Sequence, residues 1–318
     1  MTSLSSPSAS PDPAPRSWRD LARPRATVVA LGNFDGVHLG HRRLLEEVRA
    51  CAEALDADPV ALTFEPHPRQ FLFPEARTSL LTSPREKTAL VAGCGVEPVT
   101  LEFDAAFAAL SAGEFVDDVL RDRLRGVHFF LGATHRFGRG ARGDAALLRE
   151  RVGADRVTEV TPVIDEGEAV SSTAIRHHLK NGELDRANRL LGRRYRLRGT
   201  VERGAARGRT IGFPTANLRL EDVRKILPFG VYGGVARLDD GTAARAVANI
   251  GMKPTFNGPE PTLEVHLLDW SGDLYGRDVE FEMIQRLRPE KRFESIEALR
   301  DQIARDVAAW RATPSASP

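Results

Sequence analysis

The sequence predicts a mixed α/β chain in two parts: an open, mostly parallel sheet with helices, then a small β-barrel closed by one helix. Three observations carry this. The 318 residues exceed what one hydrophobic core normally organises. From Ala26 to about Arg186, apolar strand-like runs alternate with helical stretches, the pattern of strands joined by crossover helices. After Arg186, short strand-like runs follow one another between Gly and Pro, as in small barrels. The expected division is a tail at 1–24, a first domain at 25–185, a second at 186–312 and a short tail at 313–318.

In order along the chain, Ala26-Thr-Val-Val-Ala-Leu31 is an unbroken apolar run ending at Gly32, as a strand buried on both faces requires. A helix is expected from His41 to Leu55, with Leu44, Leu45, Val48, Cys51 and Leu55 on its buried face. Val60 to Phe64 is a second strand. Ser83-Pro84-Arg85-Glu86 carries a capping box with Pro at the first helical position, so a helix starts there and stops near Gly93. Ser111-Ala-Gly-Glu114 opens another, and Val127 to Leu131 is a further strand. The later strands are Tyr195–Val201, Val231–Leu238, Ala246–Ile250, Leu263–Leu268 and Val279–Leu287. Asp239-Asp240-Gly241 marks a hairpin between two of them. Asp185 to Leu191 reads as helical and fits either half, and an amphipathic helix from Ser295 to Trp310 closes the chain.

Composition excludes several classes of function. Lys+Arg 45 against Asp+Glu 44 leaves no basic excess, so neither nucleic acid nor a membrane surface is an expected partner. Only 5 of the basic residues are Lys, which makes a lone Arg weak evidence of function. Cys51 and Cys94 cannot build a disulfide framework or a cysteine metal site. Met1 to Pro15 is Ser/Pro-rich and lacks the apolar centre of a secretory signal. A cytoplasmic protein is expected; nothing in the sequence sets an oligomeric state.

Two segments carry the chemistry. Gly32-Asn33-Phe34-Asp35-Gly36-Val37-His38-Leu39-Gly40-His41 sits where a strand ends and a helix begins, a place of free backbone N–H groups and positive dipole. His38 and His41 are one turn apart, and Gly40 permits close backbone approach. Such a pair suits the charge that builds on an α-phosphate during nucleotidyl transfer. Two histidines at that spacing, taken alone, favour capping or surface residues; a metal pair is a further rival, with no third His nearby in sequence to support it. In the second half no G-x-x-x-x-G-K-[ST] occurs, so phosphoryl transfer there needs another scaffold. Gly208-Arg209-Thr210-Ile211-Gly212-Phe213-Pro214-Thr215-Ala216-Asn217 offers a glycine loop and two neutral oxygen ligands, Thr215 and Asn217, on one side of an extended segment. In Thr262-Leu263-Glu264-Val265-His266-Leu267, alternation sends Glu264 and His266 away from the apolar face.

The first segment resembles the HxGH signature of nucleotidylyltransferases, in the G-N-F-D-G-V-H-x-G-H form of the bacterial bifunctional riboflavin kinase/FMN adenylyltransferases. Thr63-Phe64-Glu65-Pro66-His67-Pro68 and Ser171-Ser172-Thr173-Ala174-Ile175-Arg176 resemble that family's T-F-[DE]-P-H-P and S-S-T-x-[IV]-R segments. The glycine loop resembles the flavokinase G-R-T-x-G-F-P-T-A-N signature, and Glu264 with His266 its E-x-H motif. The resemblance covers residues 26 to 310. It implies a Rossmann-like nucleotidylyltransferase domain followed by a β-barrel flavokinase domain, making FMN from riboflavin and FAD from FMN with ATP and Mg²⁺. It implies catalytic roles for His38, His41 and Glu264. It implies ATP contacts from Gly32, Phe34, Gly40, Ser171, Ser172, Thr173, Arg176, Gly208, Thr210, Gly212, Thr215 and Asn217, with metal at the last two. Flavin contacts are implied for Asn33, Asp35, Pro66, His67 and Arg288. The sequence departs from the family in Leu131 to Gly138, where Thr134 replaces an acidic or amide residue and His135 an aromatic.

Overall fold

The computed structural model describes residues 14–76, 78–203, 208, 211–220, 227–255 and 258–314. The chain forms two compact units, Met1–Ser172 and Thr173–Pro318. Among the described residues no helix is long and apolar enough to cross a membrane.

The first unit is built on five parallel strands, β1 (Thr27–Leu31), β2 (Asp58–Glu65), β3 (Glu97–Glu102), β4 (Gly126–Gly132) and β5 (Val157–Val160), in the order β3-β2-β1-β4-β5. Every residue of β1 is buried because both faces of the sheet are covered. Val28 and Ala30 join one apolar cluster with Leu45 and Val48, while Val29 and Leu31 join another with Leu120 and Phe129. That explains the unbroken apolar run. Helix α1 spans Leu39–Ala54 and buries Leu44, Leu45, Val48 and Ala52. Leu55 is not part of this face: it is the C-cap, half exposed, because the chain has already left the helix. Cys51 packs at the edge of the cluster, where burial pushes its thiol pKa up.

Two short helices, α2 (Pro68–Leu72) and, after a 3-10 turn, α3 (Pro84–Ala92), precede β3. Ser83 caps α3 by accepting from the Glu86 amide at 3.2 Å. After α4 (Ala105–Ala108), the capping box forms at Ser111, with Glu114 accepting from the Ser111 amide at 2.7 Å. The helix it opens is short, α5 (Ala112–Glu114), and continues as a wide π-helical stretch, Phe115–Arg123. Then come α6 (Ala145–Val152) and a two-stranded ribbon, β6 (Ile164–Asp165) and β7 (Glu168–Ala169).

Helix α7 covers Ser172–Asn181. Helix α8 (Leu184–Leu191) is fastened to the barrel by Asn188, which donates to the Met283 carbonyl at 3.1 Å and accepts from the Tyr195 amide at 2.6 Å. Six antiparallel strands close the barrel: β8 (Tyr195–Glu202), β9 (Ala216–Leu220), β10 (Gly230–Leu238), β11 (Ala243–Thr255), β12 (Gly258–Leu267) and β13 (Asp278–Pro289), in the order β10-β11-β12-β9-β8-β13. Register sets its interior. Leu218, Leu263 and Ile250 lie side by side, as do Ala216, Val265 and Ala248, and all are buried. On the outside, helix α9 (Ile296–Ala312) lays Trp310 against Val231, Val247 and Leu268. Gly233 makes room for it, since a Cβ there would stand 2.3 Å from the indole.

Trp310→Ala removes the largest fully buried side chain of this outer cluster. It should cost the second unit about 3–5 kcal/mol, read as a lower urea midpoint for the barrel's unfolding. A loss below about 1 kcal/mol would show that α9 does not brace the barrel.

Candidate functional site

The strand order places one crevice. The chain runs outward from β1 to β3, then returns to lay β4 on the other side of β1. Ligands of open parallel sheets bind beyond the strand carboxyl ends at such a reversal. Gly32 to His41 follows β1, and Gly132 to Gly138 follows β4, so both loops lie at that edge.

The β1 loop is held in a conformation few side chains adopt. Phe34 has φ 50° and Val37 φ 36°, with Gly36 at 86° between them. Phe34 is wholly buried, its ring beneath Gly32, where a Cβ would meet it at 3.0 Å. Asp35 is also buried, and its Oδ1 accepts from the Leu81 amide at 2.8 Å, the Thr82 amide at 3.2 Å and the Thr82 hydroxyl at 3.3 Å. The Asp35 carbonyl accepts from the Ser172 hydroxyl at 2.8 Å, and the Asn33 carbonyl from the Thr63 hydroxyl at 3.1 Å. Phe34 and the Asp35 carboxylate therefore serve to fix the loop's shape.

His38 is the N-cap of α1 rather than a residue within it. Its Nδ1 accepts from the His41 amide at 3.3 Å, which puts the ring proton on Nε2 in the neutral form. The two imidazoles stack with centroids 3.7 Å apart and planes 16° from parallel. Phe34 meets the edge of His41 at 5.2 Å. Gly40 is the space they need: a Cβ there would sit 3.3 Å from the His38 ring and 3.5 Å from the Val170 carbonyl. Capping and the paired imidazoles are one device, and it places two ring donors at the positive end of a 16-residue helix.

Beyond β2, Pro66 is exposed after a cis peptide bond, and buried His67 caps α2 through Nδ1, accepting from the Arg69 amide at 3.1 Å. His135, in the β4 loop, stacks near Phe137 at 6.4 Å. Burial, with Arg136 adding to it, brings the His135 pKa down to about 4, so the ring is uncharged at neutral pH; Thr134 beside it is exposed. Of the Ser171–Arg176 segment, Ser171 and Ser172 belong to the first unit, and Thr173 and Arg176 to the second. Sequence reasoning missed Lys87, a buried lysine whose Nζ donates to the Phe64 carbonyl at 3.2 Å. Nothing in its spacing sets it apart from a helix-surface lysine.

On the barrel, register lines up a polar row. Asn217 of β9, Glu264 of β12 and Asn249 of β11 are direct neighbours across three strands, on the face opposite Leu263 and Val265. Thr215 leads into β9 two residues before Asn217. The glycine loop folds back on itself, with the Ile211 and Phe213 amides donating to the Gly208 carbonyl at 3.3 and 2.8 Å. A Cβ on Gly208 would collide with the Phe213 carbonyl at 2.3 Å and reach the Thr215 hydroxyl at 3.2 Å. Gly212 has φ 87°; Thr210 lies outside the described residues. His266 hydrogen-bonds the Pro214 carbonyl through Nδ1 at 2.7 Å, tying this loop to the strand that carries Glu264. Arg288 is committed to α9, its Nε donating to both oxygens of Asp306 at 3.2 and 2.9 Å. Among the described residues no cluster of three or more His, Cys, Asp or Glu could hold a metal. The oxygens of Thr215 and Asn217 suit a hard cation that keeps its waters and shares nucleotide phosphates.

Comparison with known proteins gives matches over both units. Residues 20–174 match the family model described as FAD synthetase, and residues 191–313 that described as riboflavin kinase. The bifunctional riboflavin kinase/FMN adenylyltransferase of Escherichia coli K12 is 40% identical over 284 residues, 88% of this chain and 90% of that protein. The protein of the same description from Pseudomonas fluorescens is 41% identical over 298 residues, 92% and 94% of the two chains. A crystal structure described as a macrolide-efflux protein from Streptococcus pneumoniae superposes with a TM-score of 0.84 at 34% identity, covering 94% of this chain and 98% of that one. The efflux description belongs to that protein.

The neutral His135 makes a pH prediction. An unfolded histidine titrates near 6.5, so between that value and about 4 the unfolded chain binds the extra proton and the folded one does not. This contribution to stability is complete above pH ~6.5 and lost as pH falls toward 4. His135→Gln should flatten the decline of the urea midpoint measured from pH 7 to 4.5; an unchanged slope would contradict the burial of the ring.

Proposed function

This chain belongs to the bifunctional riboflavin kinase/FMN adenylyltransferase family, and from that premise we propose which residues perform its two reactions. It is an enzyme that phosphorylates riboflavin with ATP to FMN, then adenylylates FMN with ATP to FAD and pyrophosphate. The observation that carries the assignment is that stacked His38 and His41 lie in the first unit and the Asn217–Glu264 row in the second.

In adenylyl transfer, an oxygen of the FMN phosphate attacks the α-phosphorus of ATP and pyrophosphate leaves. No covalent enzyme intermediate is needed. His38 and His41, with the N–H groups opening α1, stabilise the negative charge that develops on the α-phosphate and the leaving pyrophosphate. Ser171 and Ser172 hold the remaining phosphates of ATP, and Asn33, Pro66 and His67 the flavin. In phosphoryl transfer, Glu264 takes the proton of the ribityl 5′-hydroxyl as its oxygen attacks the γ-phosphorus and ADP leaves. Asn217 holds its place one strand away from that carboxylate, and the Gly208–Gly212 loop covers the phosphates. Thr215 and Asn217 would hold Mg²⁺, which when bound would neutralise phosphate charge. The near-balance of charge supports work in the cytoplasm on small molecules rather than on nucleic acid or a membrane surface. Incubating the protein with riboflavin, ATP and Mg²⁺ and following FMN and FAD separately tests the whole reading.

His41→Ala should lower FAD formation from FMN by about 10²–10³ with little change in ATP affinity, while riboflavin phosphorylation continues. Unchanged turnover in a less stable protein would reduce His41 to a structural residue. Glu264→Gln should lower FMN formation by about 10²–10⁴ and leave FAD synthesis from supplied FMN intact. Near-normal kinase turnover in that variant rules the base assignment out.

A further inference from the structure

We propose that Lys87 is a positioning residue for adenylyl transfer: its buried ammonium fixes the end of β2, and so the Pro66-His67 segment, relative to the β1 histidine loop.

Lys87 lies one turn into α3 and is 5% exposed. Helix stability does not explain a cation there, since the first turn sits at the positive end of the dipole. Burial does not explain it either: desolvation pushes its pKa down, and the nearby carboxylates of Glu65 and then Asp35 push it back up. An apolar side chain of the same length would avoid that cost.

What the ammonium meets is informative. It donates to the Phe64 carbonyl at 3.2 Å and lies 3.9 Å from Glu65 Oε2. Those are the last two residues of β2, and Pro66 is the next. The charge of Asp35 also acts on the ammonium, and that carboxylate clamps the Leu81 and Thr82 amides just ahead of the Ser83 cap of α3. Gly36 donates to the Thr82 hydroxyl at 3.1 Å, tightening the same joint. The first turn of α3 is thus tied to the β1 loop by Asp35 and to the β2 end by Lys87. These two segments carry the residues assigned above to the nucleotide and the flavin, and the inference rests on that assignment. Displacing one from the other by about 1 Å is enough to misplace two substrates that must meet in line.

The test uses the full chain and Lys87→Met, which keeps the apolar stem and removes the ammonium. The KM for FMN in FAD formation should rise tenfold or more, with the KM for ATP and the riboflavin kinase rate within twofold of the unaltered enzyme. Lys87→Arg, which keeps the charge, should restore much of the FMN affinity. A merely structural lysine gives another pattern: the FMN KM stays put, and activity falls only with the folded fraction seen in the melting curve. That pattern overturns the proposal. If the Met variant does not fold, Lys87→Gln, polar but without the charge, is read by the same comparison of KM values. Unaltered enzyme that makes no FAD from FMN would instead remove the adenylyltransferase reading itself.

Discussion

The first centre depends on one buried carboxylate. Taking Asp35 out of water is costly unless its oxygens are hydrogen-bonded, and three donors from Leu81 and Thr82 meet one of them. Those bonds hold a loop in which Phe34 and Val37 both occupy positive φ. That loop in turn delivers His38 to the end of α1, where it caps the helix and stacks on His41. The strain is local, and the stabilisation comes from residues nearly fifty positions away. A loop built this way is preorganised, since the paired imidazoles are fixed by the fold itself.

The barrel solves the same problem differently. Its polar row sits on the outer surface, because the interior is filled by registered apolar neighbours such as Leu218, Leu263 and Ile250. Asn217, Glu264 and Asn249 are brought together by strand pairing alone. Arg288, by contrast, is drawn to Asp306 on α9, so the guanidinium that the sequence offers for flavin already braces the closing helix.

Long-period features were readable from the sequence and short or long-range ones were not. The β1 run, α1, the Ser83 and Ser111 caps and five barrel strands follow from apolar periodicity and capping chemistry, which act locally. Strands β3 and β5 hold few apolar residues, which do not distinguish a strand from a turn; β9 hides inside a motif rich in Pro, Thr and Asn. The π-helical stretch has no periodic signature of its own. At the site, the histidine pair and the row partner of Glu264 were visible as motifs. The structural duty of Asp35 and Phe34 was not, because it depends on contacts with Leu81, Thr82 and Gly32 that only the folded chain creates. Lys87 was invisible for the same reason: its partners lie on another strand and another loop.

Closure of the barrel has a consequence for fidelity. A strand that slips by one residue turns its whole side-chain set over, sending Glu264 into the interior and Leu263 or Val265 into solvent. In an open sheet an edge strand can make that error alone. In a closed ring of six strands the offset has to be absorbed by every neighbour in turn, back to where it began. The apolar layer therefore acts as a proofreading gauge for the polar one: a barrel that has closed with its core filled has necessarily set Glu264 on the outer face.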